Sequence, residues 1–529
     1  MFFRLLVIAL CCLAGCSKQP NKSQLLRLNL YNEPPTLDSR KATDSTSLNI
    51  LLNLFEGLTR TGVDHQPHPA VAETIEISED QLTYTFKLRE CYWSNGERVT
   101  SGDFLCSWYR VLDPKFPSPF AYKHYVIKNG VAVKEGKLPI EELGVIAPDK
   151  QTLIVTLEHP APYFLELLAL PTFYPINKTV DEQHEDWSAE AGPHFISNGP
   201  YLLDSWIHED EIVLKKNPLY WDEKAVSLDE VHFLMIDDTM TEFYMYEMGE
   251  LDWAGSPLSN LPTEILPALQ KEGKLFSYST SGVYFYKINT DTFTGKNLKI
   301  RQALGLAINR KAIVDHILQG DQIPATALIP PMPNWEEPNS FFLDGDLERA
   351  QKLFREGLDE LGVSKEALKP LVLSFNSNRE HQKIAQAIQQ QWKEGLGIRV
   401  ELETLDWKVY LSKVNKQNYE IARLGWLADY HDPLSFLEPY KFRDNPHIGG
   451  NNETGWEHPE YTSLLDSAER ESDTHLRSEL LRQAEKILID EMPIIPLYYI
   501  INSYLKKPYV QDVYLSPLGT MDLKWAKVH

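Results

Sequence analysis

Two carboxylates, an imidazole and two large aromatic rings fall within nine residues, Gly425-Trp426-Leu427-Ala428-Asp429-Tyr430-His431-Asp432-Pro433, directly behind the strand-like run from Asn418 to Leu424. A carboxylate that follows an apolar run is costly to bury unless a cation meets it. The chemistry written at Asp429 is therefore ion pairing rather than bond making. A local use of the same residue stays open, because an aspartate ahead of Asp432-Pro433 can turn or cap the chain. By themselves Arg423 reads as an exposed strand arginine and His381 as a surface histidine near a helix start.

Motifs of covalent and phosphate chemistry are absent. The sequence contains neither a Gly-x-Ser-x-Gly elbow, nor a Gly-x-x-x-x-Gly-Lys loop, nor a His-Glu-x-x-His pair. The closest histidine pair, His65-Gln66-Pro67-His68, is bracketed by prolines and reads as an exposed loop rather than a metal site. Acid pairs such as Asp237-Asp238 are too common in so acidic a chain to nominate a glycosidase.

The elements that must hold these residues mix strands and helices. From Leu82 to Arg89 apolar and polar residues alternate with period two, which predicts a strand with one wet face. Similar short strands are predicted at 25–30, 152–157, 211–215, 283–288, 371–375 and 398–402. Ile300, Ala303, Leu304, Ala307 and Ile308 share one helical face in a stretch that Gly320 follows. Further helices are expected across 346–361, 381–394 and 459–490. The class is α/β or α+β with mixed sheets. The proline-rich 327–338 reads as an ordered surface crossing with Trp335 packed beside it. No internal repeat or low-complexity tract interrupts the chain.

One charge at Arg4, an apolar run from Leu5 to Ala14 and then Gly15-Cys16 read as a secretory leader, residues 1–15, too short to span a bilayer. Without it the balance is 51 basic against 75 acidic side chains, a net of −24, since the leader carries Arg4 and no acid. Such a balance argues against nucleic acid as a partner. Of five cysteines, Cys11 and Cys12 belong to the leader, leaving Cys16, Cys91 and Cys106. An extracytoplasmic compartment permits a Cys91–Cys106 disulfide, and the sequence leaves that pairing open. The length exceeds what one core supports, so two or three lobes are expected.

Several separated stretches resemble one family, the solute-binding proteins of peptide ABC importers, in its oligopeptide-binding branch. They are NLFEGLTR (53–60), the run from YTFKLRECYW to RVLDP (84–114), SNGPYLLDSW (197–206), IVLKKNPLYWD (212–222), IRQALGLAINRKAIV (300–314), HQKIAQ to WKVYL (381–411), YEIARLGWLADYHDP (419–433) and AEKILIDEMPIIPLYY (484–499). Leu13-Ala14-Gly15-Cys16 resembles the lipobox of bacterial lipoproteins, which implies a lipid on Cys16 and a mature chain tethered outside the cytoplasm.

The family resemblance implies a periplasmic-binding-protein-like α/β fold of three lobes. The first is discontinuous, 17–57, 180–281 and 497–529; the second is 58–179; the third is 282–496. Two chain crossings act as the hinge that closes on a ligand. It implies a monomer without cofactor or metal, partnered by short peptides and a membrane permease, and no catalytic step. Asp429 would pair with the α-amino group of the peptide. Arg423 and His381 would receive peptide carboxylates. Gly425 and Leu427 would pair with the peptide backbone, and Trp407, Trp426 and Tyr499 would wall roomy side-chain pockets, with core packing as the plainer role of each ring.

Departures from the pattern are visible. Leu318 stands nearest a lysine position of the family, Leu427 and Gly282 replace a disulfide of its best-known members, and an acid near Thr43 is missing. A murein peptide or a dipeptide is the alternative ligand on the same fold. Alternatives of other classes are a surface lipoprotein acting in adhesion and a secreted hydrolase.

Overall fold

A computed structural model describes residues 24–332, 335, 338–443, 452–471 and 473–529. The leader and Cys16 lie outside the described residues. Three larger sheets carry the architecture. The first orders Leu25–Asn29, Glu230–Leu234, Glu211–Lys216 and Tyr201–Ile207, with only its first pair parallel. The second, Ala72–Ile77, Thr83–Leu88, Thr152–Thr156 and Val145–Asp149, is antiparallel throughout. Its Thr83–Leu88 strand buries Tyr84, Phe86 and Leu88 and leaves Lys87 exposed, as the period-two pattern requires.

The third sheet runs Trp253–Gly255, Ile494–Lys506, Phe276–Ile288, Ile421–Leu427, Leu371–Asn376 and Val400–Leu405, with Ile323–Pro324 pairing on Ile494–Lys506. Leu371–Asn376 is parallel to both neighbours while Phe276–Ile288 is antiparallel to both of its own, so the class is α/β with mixed sheets. Pleating sorts the side chains of this sheet between two cores. Tyr284, Tyr286 and Ile495 join one with Trp392 and Phe354; Val283, Phe285 and Ile494 join the other with Leu481 and Leu488. Helices Leu298–Leu306, Leu347–Leu361 and Arg379–Leu396 supply the first cover, Pro459–Arg470 and Thr474–Glu491 the second.

Phe276–Ile288 and Ile494–Lys506 are each 13 residues long and pair antiparallel, running from the neighbourhood of Trp253–Gly255 to that of Ile421–Leu427. They are the two long crossing strands of this sheet. Their register breaks between Ser279 and Val283, where an irregularity twists a paired ribbon away from a flat sheet.

Some elements differ from their sequence signals. The stretch after Ile300 is not one helix: Leu298–Leu306 stops, and Asn309 starts Arg310–Ile313 by accepting the Ala312 N–H at 2.8 Å. Likewise 459–490 divides where Asp473 caps the second helix through the His475 and Leu476 N–H groups, both at 2.9 Å. The proline-rich crossing is anchored from beneath, since buried Glu485 accepts the N–H groups of Leu328 and Ile329 at 2.9 and 2.8 Å. Trp335 is buried against it. Cys91 and Cys106 are free thiols, the former buried.

Glu242, on helix Thr239–Met248, is buried and accepts the Gly255 N–H at 2.9 Å and the Ser259 hydroxyl at 2.6 Å through one oxygen only. Burial pushes its carboxyl up to about 7, against those hydrogen bonds. A folded-state value above the unfolded one means the native state holds the extra proton. Stability from this group therefore falls as pH rises from about 4.5 to about 7 and then levels. Glu242→Gln should flatten that limb, so that urea unfolding at pH 5 and pH 8 differs less than in the wild type by about 1–3 kcal/mol. Equal pH slopes in the two proteins would refute the assignment.

Candidate functional site

Ile421–Leu427 is committed on one edge only. Along Gly282 to Ile288 it pairs residue for residue with a crossing strand, whereas its register with Leu371–Asn376 stops at Ala422. The Asn289 N–H reaches the Glu420 carbonyl at 3.0 Å and the Ala428 N–H reaches the Ser281 carbonyl at 2.8 Å. In an antiparallel pair these bonds fall on alternate residues. Even-numbered residues therefore face the crossing strand, and the main-chain groups of Arg423, Gly425 and Leu427 face the open edge. Tyr410 donates its hydroxyl to the Arg423 carbonyl there.

A cation stands at the start of this edge. The Arg423 guanidinium lies over the Tyr284 ring, 4.5 Å from its centroid, and one Nη is 3.4 Å from Asn376 Oδ1. Among the described residues it has no carboxylate within ion-pair distance, and its buried Nε lacks an acceptor. A desolvated cation held this way is ready for an anion. His381 lies close by, at the N-terminus of Arg379–Leu396, where Asn378 Oδ1 caps the N–H groups of Glu380 and His381 at 2.8 and 3.2 Å. Burial, with Arg423 adding to it, holds the His381 imidazole well below its ordinary range. It is thus neutral near pH 7, and the charge here belongs to Arg423. Leu318, nearest the lysine position that the resemblance implies, is buried in the core.

Asp429 stands past the other end of the edge, and it is already paired. The Lys123 ammonium, from the turn Ala121–Val126, forms an ion pair with its carboxylate; the lysine side chain is 2% exposed and that of Asp429 18%. The turn-forming role weighed for Asp429 falls instead to Asp432, which accepts the Leu434 N–H at 2.9 Å and a bidentate pair from Arg477 at 2.6 and 2.9 Å. Nearby, Glu166 accepts the His431 main-chain N–H at 2.8 Å and Tyr163 stacks on Tyr430 at 4.3 Å. Lys123 was not singled out from the sequence. The signal that exists is a lysine amid Phe120, Tyr122, His124 and Tyr125 with no acid between Asp113 and Glu135, a cation whose partner must come from afar.

The other proposed residues divide. Trp426 is half-buried beside the edge and donates to the Ser435 carbonyl at 2.9 Å. Trp407 is half-buried against Tyr410. Tyr499 is core: it is buried, with its hydroxyl on the Ala327 carbonyl at 3.3 Å. Leu427 takes the place of the missing disulfide as an apolar plug. A Cβ at Gly282 or Gly519 would come within 2.5 or 2.6 Å of its methyl groups, so a side chain at either position would require Leu427 to move. Residues 180–281 meet the start of helix Arg379–Leu396 through opposite charges, Glu264 with Lys383 and Asp238 with Arg379, the latter at 3.9 Å. Among the described residues no helix is long and apolar enough to cross a membrane.

Either half of the Lys123–Asp429 pair leaves a poorly solvated charge when the other is removed. Without added ligand, Lys123→Met and Asp429→Asn should each destabilise more than their combination, with a coupling of about 1–3 kcal/mol in a denaturation cycle. Additivity within about 0.3 kcal/mol would mean that the pair contributes nothing.

The family model of bacterial extracellular solute-binding proteins, family 5 (middle region), matches residues 66–446. The oligopeptide-binding protein OppA of Bacillus subtilis is 42% identical over 510 residues, covering 96% of this chain and 93% of that protein. The dipeptide-binding protein DppE of the same organism is 36% identical, covering 95% and 92%. Among solved structures, the murein tripeptide-binding protein MppA of Escherichia coli superposes with a TM-score of 0.89 at 30% identity, covering 96% of this chain and 99% of that one. Haemophilus influenzae OppA in complex with RPPGFSPFR gives 0.89 at 29% identity, with 96% and 100% covered. The unliganded open form of MppA gives 0.67 at 29% identity, with 96% and 98% covered, so the parts of this molecule stand as in the peptide complex rather than as in the open form. By the matched model, by identity along nearly its whole length and by its fold, the chain belongs to family 5 of the bacterial extracellular solute-binding proteins.

Proposed function

We propose that this protein is the extracytoplasmic substrate-binding component of an oligopeptide ABC importer, taking short peptides chiefly by their main chain and their ends. The observation that carries the reading is the open edge at Arg423, Gly425 and Leu427, with a half-buried cation at its start and Asp429 past its end. A guest strand laid antiparallel to Ile421–Leu427 brings its carboxylate to Arg423 and its leading nitrogen to Asp429. The rise from Arg423 to Asp429 is about 20 Å at ~3.3 Å per residue, which suits a guest of a few residues. Every residue but proline offers the same main-chain donor and acceptor, so one cleft serves many sequences. The relatives named for oligopeptide and dipeptide binding support the ligand class.

On this reading 17–57, 180–281 and 497–529 form one lobe, 58–179 a second and 282–496 a third, and the crossing strands are the hinge. Closure on a guest is what a membrane permease recognises. Cys16 carries the lipid that tethers a monomer outside the cell membrane, and no catalytic step occurs. A murein tripeptide is the second reading, favoured by the fit to MppA and by the apolar Leu318 where a further carboxylate-binding lysine would stand.

Mass spectrometry of ligands released by denaturing the purified protein tests both. A mixture of short peptides supports the first reading and a single muropeptide the second; no peptide, with no thermal stabilisation by added peptides, refutes them together. Arg423→Ala should weaken binding of a free-carboxylate peptide by about tenfold or more and abolish its preference over the matching C-terminal amide.

A further inference from the structure

The carboxylate that would greet a guest's ammonium already holds an ammonium of the chain's own. Lys123 Nζ is the same chemical species as a peptide's leading group, and three features keep it in place. Its side chain is 2% exposed, so water cannot take over as its partner. It lies against the rings of Phe120 and Tyr122, 4.4 and 5.0 Å from their centroids. Its turn is fixed on both sides: Ser118 donates to the Arg40 carbonyl at 2.7 Å, and the His124 ring stacks on Phe173 at 3.9 Å. Displacing Lys123 would strand a buried ammonium, a change that costs more than a guest amine gains by taking its place.

The remaining acids nearby do not supply a free anion. Asp432 is held by Arg477 and Glu166 by His431. Glu438 is bonded by the Tyr430 hydroxyl at 3.2 Å, and burial, with Glu469 adding to it, pushes its carboxyl up to about 7. An arriving ammonium therefore meets a neutralised pair rather than a bare carboxylate, and the electrostatic reward for bringing a charge is small.

Resting on the peptide-binding reading, we infer that Lys123 is a specificity-determining residue: it supplies the counter-ion of Asp429 internally, so the cleft takes peptides whose leading nitrogen is acylated about as well as those with a free amine. The oxygen of a leading amide group can accept from the Lys123 ammonium, whereas a free amine must share Asp429 with it.

Calorimetric titration with tetra-alanine and N-acetyl-tetra-alanine tests this on the full chain. The wild type should bind the two within about tenfold of each other, and Lys123→Met should shift the ratio by a further factor of about 100 towards the free amine. A wild type that prefers the free amine by about 100-fold or more overturns the inference, as does a ratio unchanged in Lys123→Met. Lys123→Gln gives the same comparison if the methionine variant does not fold, and the wild-type ratio decides without either. Binding of tetra-alanine without binding of its acetylated form sinks the inference alone. Binding of neither, together with no peptide among the released ligands, sinks the peptide-binding reading and this inference with it.

Discussion

A strand edge enclosed within a protein must have its hydrogen bonds met, and the half-paired Ile421–Leu427 is the constraint around which this molecule is built. One side is spent on a crossing strand down to Gly282, and the other is released after Ala422. Exposed in the open, such an edge invites pairing with any passing chain. Here the surrounding parts shield it, and the polar groups left over are turned into a place for a guest strand. On the proposed reading the chemistry at the two ends follows from the same geometry, because a guest strand also brings two ends, one towards Arg423 and one towards Asp429.

The charge distribution fits that arrangement. The chain is strongly acidic, yet Arg40, Arg60, Arg301 and Arg310 are buried and each is held by carboxylates or main-chain carbonyls. Arg40 and Arg310 also lie over rings, and Arg423 differs from all four in its polar partner, a side-chain amide, with no carboxylate in ion-pair distance among the described residues. On the proposed reading that difference sets a receptor for an anion apart from a structural cation. His381, beside it, is kept neutral by the same burial and shapes the pocket without adding charge.

Much of this was legible in the sequence. Period-two runs located the sheets, the acid after an apolar strand marked one end of the proposed site, and resemblance nominated Arg423 for the other. What could not be read depends on distance along the chain. Lys123 and Asp429 are separated by more than 300 residues, and no local pattern registers a partner so remote. The edge itself is equally invisible, because whether Leu371–Asn376 pairs through Ala422 or through Leu427 is decided by the packing of Tyr410 and Trp407 against the sheet. Helix limits failed for a smaller reason: Asn309 and Asp473 can each stand inside a helix or cap the next one, and the apolar periodicity runs through both.

Two kinds of interaction therefore divide the work of closing and of recognising. The contacts joining residues 58–179 to the end of Ile421–Leu427, namely Lys123 with Asp429, Glu166 with His431 and Tyr163 on Tyr430, lie wholly within the chain. On the proposed reading they favour the closed arrangement whether or not a guest is present, and so would not by themselves tell a loaded protein from an empty one. The main-chain groups of Gly425 and Leu427 can, because closing over them removes water that only another main chain replaces bond for bond. A ligand shifts an equilibrium only by its differential affinity for the two states. On the proposed reading that difference resides in the hydrogen bonds of the edge, and the ion pair beyond its end lowers the amount each guest must supply.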